Sequence, residues 1–333
     1  MKSRPRISAW RAALWIAALL GALFYLPVPY YVMAPGDAVD LRDAIEVAGH
    51  PGPPHPLYLT DVLIYRASPL GLLSKFAPGY RLVPRSEFTP DGVSYERYQQ
   101  IMLRSMTESQ QAAAVVAERA AGYHVATPPS RVRVVAVTAK SRARDLLRPG
   151  DSVVAADGQV VDSLARLIAV VNGHAVGGPP VALRIERDGL VRGVAVPTIT
   201  TTEGPRIGVL IAAEPERARL PVPVSFGGPL ARISGSSGGL MMALDIYSAL
   251  ERRSIARVSV AGTGTLDFDG GVGPIDGAAQ KVIAAKRAGA KIFLCPRENY
   301  REIAHTSGIE VIPVATFGDA LNALTGGMRR KAA

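Results

Sequence analysis

The hydrophobic and polar positions of this chain fall into blocks of different period. From Ala12 to Gly36 no residue is charged, and the run AALWIAALLGALFYLPVPYYVM (Ala12–Met33) is long enough for a bilayer-spanning helix. Residues 34–56 are rich in Pro, Gly and Asp, with DAIEVAG as a short strand. LYLTDVLIY (Leu57–Tyr65) alternates as a strand does, and Ser94–Gly122 consists almost throughout of helix formers, with Gly122 as a natural stop.

Residues 122–200 change texture. RVRVVAV is a strand; Pro149-Gly150-Asp151 turns the chain, and Asp157-Gly158 and Asp188-Gly189 are hairpin signals between alternating runs. DSLARLIAVVNG is a short helix with Asp162 or Ser163 at its N-cap and Gly173 after it. From residue 201, RIGVLIAA and PVPVSF predict strands. ARISGSSGGLMMALDIYSAL (Ala231–Leu250) then leads a glycine-serine turn into an almost wholly apolar helix. Short strands, glycine turns and one further helix follow, as in an α/β or α+β domain.

Charge sharpens the ends. The formal net charge is +10, but Lys2, Arg4, Arg6 and Arg11 with Arg329, Arg330 and Lys331 supply most of it, and no basic-aromatic stripe accompanies them. Nucleic acid is not an expected partner. The basic N-terminus ahead of the apolar run instead predicts a signal-anchor with the rest of the chain outside the cytoplasm. A cleaved signal peptide competes through the small residues of VMA, and Pro35 directly after Ala34 argues against cleavage there. One cysteine, Cys295, permits no internal disulfide, and five scattered histidines suggest no metal site.

The glycine-serine turn has three chemical readings. GSSGGL fits neither the phosphate-cradling G-x-x-x-x-G-K-[ST] nor G-x-G-x-x-G, so no nucleotide is expected. Gly235-Ser236-Ser237-Gly238-Gly239 contains G-x-S-x-G, whose hydrolase reading needs a downstream acid and histidine, and His305 is the only histidine downstream. The third reading uses a lysine base. On a helix from Asp276 to Gly289, Lys281 shares a face with Gly277, Ala278, Ala284, Ala285 and Ala288, while Lys286 and Arg287 point elsewhere. Another element can pack closely on that face and strip Lys281 of water, lowering its pKa; a lysine reaching out to solvent is the alternative.

Two resemblances extend these readings. The order of elements and LRPGDSVVAADGQVV make residues 122–200 similar to a PDZ domain of the bacterial protease-associated kind. That likeness implies capture of a peptide's C-terminal carboxylate by the loop at Gly122, Tyr123, His124 and Val125; a PDZ fold serving only as a spacer is the plainer alternative. GSSGGLMMALDIY and VAGTGTLDFDGGVGPIDGAAQKVIAAKRAGAKIFLCPREN resemble the proteolytic domain of the Lon protease family, in particular membrane-anchored bacterial Lon-like proteins with a PDZ domain. The family's Gly-Pro-Ser-Ala-Gly places its nucleophile at Ser237, with Ser236 and Gly238 replacing proline and alanine. Its Pro-Ile-Gly-Gly-x-x-x-Lys pattern places its lysine at Lys281, and Thr263 is implied as support. Gly235 and Ser236 are expected beside the oxyanion. AIEVAGHPGPPHPLYLTDV and MTESQQAAAVVAERAAG resemble the strands and first helix of the same domain, which would make the PDZ unit an insertion.

The expected fold is an α/β (α+β) Lon-type proteolytic domain plus a PDZ domain after one transmembrane helix. The expected layout is 1–11 basic tail, 12–32 anchor, 33–121 N-terminal region, 122–200 PDZ, 201–326 catalytic and 327–333 basic tail. The expected function is an ATP-independent, membrane-anchored serine endopeptidase without cofactor. It would act outside the cytoplasm on unstructured or misfolded proteins, with a ring-shaped homo-oligomer implied by resemblance. A catalytically inactive PDZ adaptor that binds protein C-termini is the alternative.

Overall fold

The computed structural model of the chain describes residues 9–85, 95–128, 130–138, 141–161, 164–175, 177–201 and 204–330. The capping positions Asp162 and Ser163, residues 1–8 of the N-terminal tail and residues 331–333 of the C-terminal tail lie outside them. Its helices are α1 (Ala9–Tyr25), α2 (Tyr95–Ala120), α3 (Leu164–Asn172), α4 (Gly239–Leu250), α5 (Ala278–Arg287), α6 (Tyr300–Ile303) and α7 (Phe317–Arg330).

One mixed sheet organises the expected catalytic unit. It contains β1 (Tyr30–Asp40), β3 (Leu57–Arg66), β4 (Arg81–Pro84), β14 (Val260–Gly262), β17 (Ile292–Pro296) and β18 (Glu310–Val314), in the order β4-β1-β3-β14-β17-β18. β14, β17 and β18 run parallel to β3, with α5 and α6 as crossovers, whereas β1 pairs antiparallel with both β3 and β4. Alternation splits the strands between two faces. Leu57, Leu59, Val260 and Leu294 join a core with α2, α4 and α7, while Ala261, Phe293 and Cys295 join a smaller one with α5.

All twelve residues of α4 are buried, as expected of a helix that is apolar all round. Ala113, Ala114 and Ala117 of α2 are fully buried, and their small side chains let that helix approach α4 closely. Two small pairings complete this unit: β2 (Ile45–Val47) with β13 (Val224–Phe226), and β15 (Thr265–Leu266) with β16 (Val272–Gly273). Strands before residue 85 and after residue 224 thus share one sheet and one core.

Between α2 and β13 lies the second sheet, with β5 (Ser130–Val137), β6 (Ser152–Ala156), β7 (Gln159–Val160), β8 (Val181–Arg187), β9 (Leu190–Val196) and β12 (Val209–Pro215). Its order is β12-β5-β6-β8-β9 with β7 on β6, and β10 (Ile199–Thr201) and β11 (Gly204–Arg206) form a separate hairpin. Both Asp-Gly hairpin signals fold with positive φ at each residue: 47° and 78° at Asp157-Gly158, 52° and 77° at Asp188-Gly189. Leu167 and Val171 of α3 pack into this unit's own core with Val132, Val153, Leu183 and Ile207.

Two boundaries differ from the sequence expectation. RIGVLIAA, placed with the catalytic unit at 201–326, supplies β12, which pairs along its length with β5 and makes the PDZ unit's edge. The expected span 12–32 is likewise divided. Its helix ends at Tyr25, and Tyr31, Val32 and Met33 are buried strand residues of β1, paired with β3 and β4. Among the described residues no helix is long and apolar enough to cross a membrane. A buried strand and a membrane helix share the same hydropathy, so the uncharged run concealed the junction.

Candidate active site

The turn 234–238 carries Ser237 to the mouth of α4. Gly235 sits at φ +95°, a backbone conformation that favours glycine, and its N–H donates to the Met102 carbonyl of α2 at 2.9 Å. Ser109 Oγ, two turns further along α2, donates to the Ser236 carbonyl at 3.0 Å. Gly238 lies against β3, where an added Cβ would stand 2.4 Å from Leu59 Cδ1. The glycines around Ser237 are therefore pinned by packing.

Lys281 approaches from the opposite side of the sheet. The small face of α5 packs on β1 and β3, leaving Lys281 3% exposed while Lys286 and Arg287 face solvent. Lys281 Nζ donates to Ser237 Oγ at 2.7 Å and to Thr263 Oγ1 at 3.0 Å. The Thr263 hydroxyl in turn donates to the Ser237 carbonyl at 3.0 Å, and the Gly264 N–H meets the same carbonyl at 2.8 Å. Serine, lysine and threonine thus form one closed hydrogen-bonded cluster.

Burial pulls the Lys281 pKa down to about 8, against the opposing attraction of Asp61 and Asp276. An amine so placed is uncharged in about a tenth of molecules at pH 7, far more than an ordinary lysine. Its free base can take the hydroxyl proton of a serine at 2.7 Å.

Asp61 is the residue that sequence reasoning missed. It lines a cavity of about 340 Å³ together with Ser237, Lys281, Leu63, Ile64, Met102 and Ile233. Its one signal was a charge inside the otherwise apolar strand LYLTDVLIY. Burial pushes the Asp61 carboxyl up, while the Asp37 N–H and the Lys281 charge hold it back. β14 pairs with β3 only as far as Leu59, so from Asp61 onward that side of β3 faces the cavity with Leu63 and Tyr65 exposed.

Two sequence expectations need correction, and the histidine alternative gains no support from the site. The N–H of Gly235 is committed to Met102 and is not directed at an oxyanion. Gly122, Tyr123, His124 and Val125 do not form a carboxylate-binding loop on the PDZ sheet; they close the C-terminus of α2. The N–H groups of Gly122 and Tyr123 donate to Arg119 and Glu118 carbonyls, and Arg119 ties Val125 to Phe268 of the catalytic unit. His305 follows α6 and does not line the cavity of Ser237.

Two family models match segments of the chain. Residues 229–324 match the family model of the Lon protease (S16) C-terminal proteolytic domain, and residues 102–198 match a PDZ domain. The chain therefore carries a serine endopeptidase domain of the Lon type and a PDZ domain. It is similar to Lon protease 2 of Bacillus subtilis (strain 168), with 40% identity over 100 residues, 30% of this chain and 18% of that protein. It is also similar to the archaeal Lon protease of Archaeoglobus fulgidus, with 33% identity over 108 residues, 31% and 17% of the two chains. Among solved structures, the PDZ domain of an SdrC-like protein from Listeria monocytogenes is 22% identical, with 27% and 93% coverage and a TM-score of 0.24. The chain spans less than a fifth of the length of the two Lon proteases it matches, at 18% and 17%.

Proposed function

We propose that this chain is an ATP-independent serine endopeptidase in which Ser237 is the nucleophile and Lys281 the general base. The observation that carries the reading is the 2.7 Å contact between Ser237 Oγ and a lysine 3% exposed, since a silent site gains nothing from a desolvated amine. Neutral Lys281 takes the Ser237 proton as Oγ attacks the scissile carbonyl, then returns it to the leaving amine; water repeats the sequence on the acyl-enzyme. Thr263 holds both partners in position, and the N-terminus of α4 favours the developing oxyanion.

The unpaired side of β3 supports an extended substrate. A peptide added there as a strand passes beside Ser237, with Leu63 and Ile64 offering apolar contacts. Only an unfolded segment can satisfy that pairing. Unstructured or misfolded proteins are therefore the substrate class.

The edge strand β12, beside α3, supports peptide recruitment by the PDZ unit. At its start Gly208 has φ +69°, and the carbonyls of Ile207 and Gly208 accept from the hydroxyls of Ser141 and Thr138, which fixes the entry to the edge strand. At its far end Glu214 accepts from Arg104 of α2, the helix whose Gln99 and Met102 line the catalytic cavity.

Attachment to the cell membrane, with the catalytic unit outside the cytoplasm, belongs to the same proposal. α1 is 17 residues, about 25 Å, and exposed Leu26 and Pro27 continue it toward the ~30 Å of a bilayer core. Its exposed Trp10, Trp15, Phe24 and Tyr25 suit interfaces, and the basic residues before it suit the cytoplasmic side. A ring of identical subunits completes the picture by its likeness to Lon.

The test is digestion of an unfolded protein without ATP by the wild type, Ser237→Ala and Lys281→Ala. Cleavage by the wild type alone supports the dyad. Absence of cleavage by all three, even with a peptide bound to the PDZ unit, favours the adaptor.

A further inference from the structure

A second cavity, of about 430 Å³, opens away from the dyad, between the segment Arg42–Val47, β13 and the middle of α4. Asp245, two turns along α4, lines it together with Asp43, Glu46, His50 and Arg42. Asp245 is 1% exposed, and its Oδ1 has no hydrogen-bond partner. His50 Nδ1, on the same cavity, is also buried and without a partner. Unpartnered buried polar atoms are uncommon because they carry the full cost of desolvation, so two around one cavity need an explanation.

The balance of charge indicates what is missing. Arg42 is already held by Asp40, through Nε to Oδ1 at 3.0 Å and Nη2 to Oδ2 at 2.6 Å. The other polar side chains named are acceptors, once His50 carries its proton on Nε2. Among the described residues no three His, Cys, Asp or Glu are grouped to hold a metal ion. The fitting ligand must bring positive charge and its own N–H donors.

We propose that this cavity binds an organic cation, a guanidinium or primary ammonium group, seated on Asp245 Oδ1 and His50 Nδ1. The group belongs either to a free small molecule or to a Lys or Arg side chain of a second copy of the chain. Burial supports the assignment by pushing the Asp245 carboxyl up to about 7, with Asp40 adding to the rise and Arg42 opposing it. A bound cation reverses that shift. Binding therefore releases a proton and tightens as pH rises, with Asp40, Arg42, Asp43, Glu46 and His50 as the neighbouring charged or titratable groups.

The experiment titrates the full chain with ethylguanidinium, following Tm and binding heat at pH 6 and pH 8. Neutral ethylurea and donor-free tetramethylammonium are the controls. Saturable stabilisation by ethylguanidinium alone is expected, about tenfold tighter at pH 8 than at pH 6. Asp245→Asn, which keeps shape and removes charge, weakens it about tenfold or more; His50→Gln provides a second variant if the first fails to fold. Sedimentation separates the sources. Loss of self-association on adding the probe, or in Asp245→Asn, identifies a side chain of a second copy; unchanged sedimentation with saturable binding identifies a small molecule. No effect of the probe on Tm, heat or sedimentation overturns the proposal, as does equal binding by wild type and both variants.

Discussion

Asp61 Oδ1 accepts the backbone N–H of Asp37 at 2.6 Å, which fixes a carboxylate of β3 in the catalytic cavity. The fit leaves no room for a side chain at Gly36, where a Cβ would lie 2.0 Å from that oxygen. Its charge favours the ammonium form of Lys281, so removing it makes the lysine easier to deprotonate. Asp61→Asn should shift the acid limb of the kcat/KM profile to lower pH by roughly half to one unit. An unshifted limb, measured on an unfolded substrate, would deny Asp61 that influence.

In the proposed dyad the base sets the direction of the wild-type profile. A lysine with pKa about 8 must lose its proton to act, so activity should rise with pH through about 8. Ser237→Ala and Lys281→Ala should each lower the rate by roughly a thousandfold or more. Lys281→Arg should be equally inactive, because a guanidinium is not deprotonated in proteins. A histidine-dependent enzyme would instead titrate nearer neutrality and depend on His305.

Thr263 bonds to both the lysine and the serine main chain. Thr263→Val keeps the shape and removes the hydroxyl, leaving the buried amine with one partner fewer. A fall in kcat of about ten- to a hundredfold is expected, with KM little changed. Thr263→Ser should restore most of it, an outcome that separates the hydroxyl from the packing of its methyl.

Gly238 occupies the position of alanine in the Lon pattern, and Leu59 explains the difference. Adding a methyl 2.4 Å from Leu59 Cδ1 should cost about 1–3 kcal/mol in urea denaturation. Combining Gly238→Ala with Leu59→Val should cost less than the sum of the single changes.

Without a bound cation, Asp245 should weaken the fold as pH rises. Its folded pKa of about 7 lies above the ordinary 3.8, so the folded state holds the extra proton between those values and stability falls across that window. Asp245→Asn should flatten the dependence and raise Tm at pH 8 by roughly 2–4 °C in ligand-free protein. A melting curve in which the two proteins lose stability in parallel from pH 4 to pH 7 would contradict it.

Much of the site was legible because its signals are local. The face of Lys281 follows from helical period, the burial of α4 from its unbroken apolar composition, and both Asp-Gly turns from residues that tolerate positive φ. The resemblance to Lon then put Ser237 and Lys281 in register. The boundary of the expected anchor was less legible, since hydropathy alone does not distinguish membrane from protein core at Tyr31–Met33.

By itself, then, the sequence determined the elements whose hydrophobic period or turn chemistry is written within a dozen residues, together with the serine and lysine that its motifs align. Only the tertiary structure decided that β12 closes the PDZ sheet against β5, that residues 122–125 fasten to the catalytic unit, and that Asp61 stands beside Lys281. The physical reason is separation along the chain. Strand pairing, desolvation and Coulomb attraction act between groups brought together across tens to hundreds of residues, and no local periodicity records which partners meet.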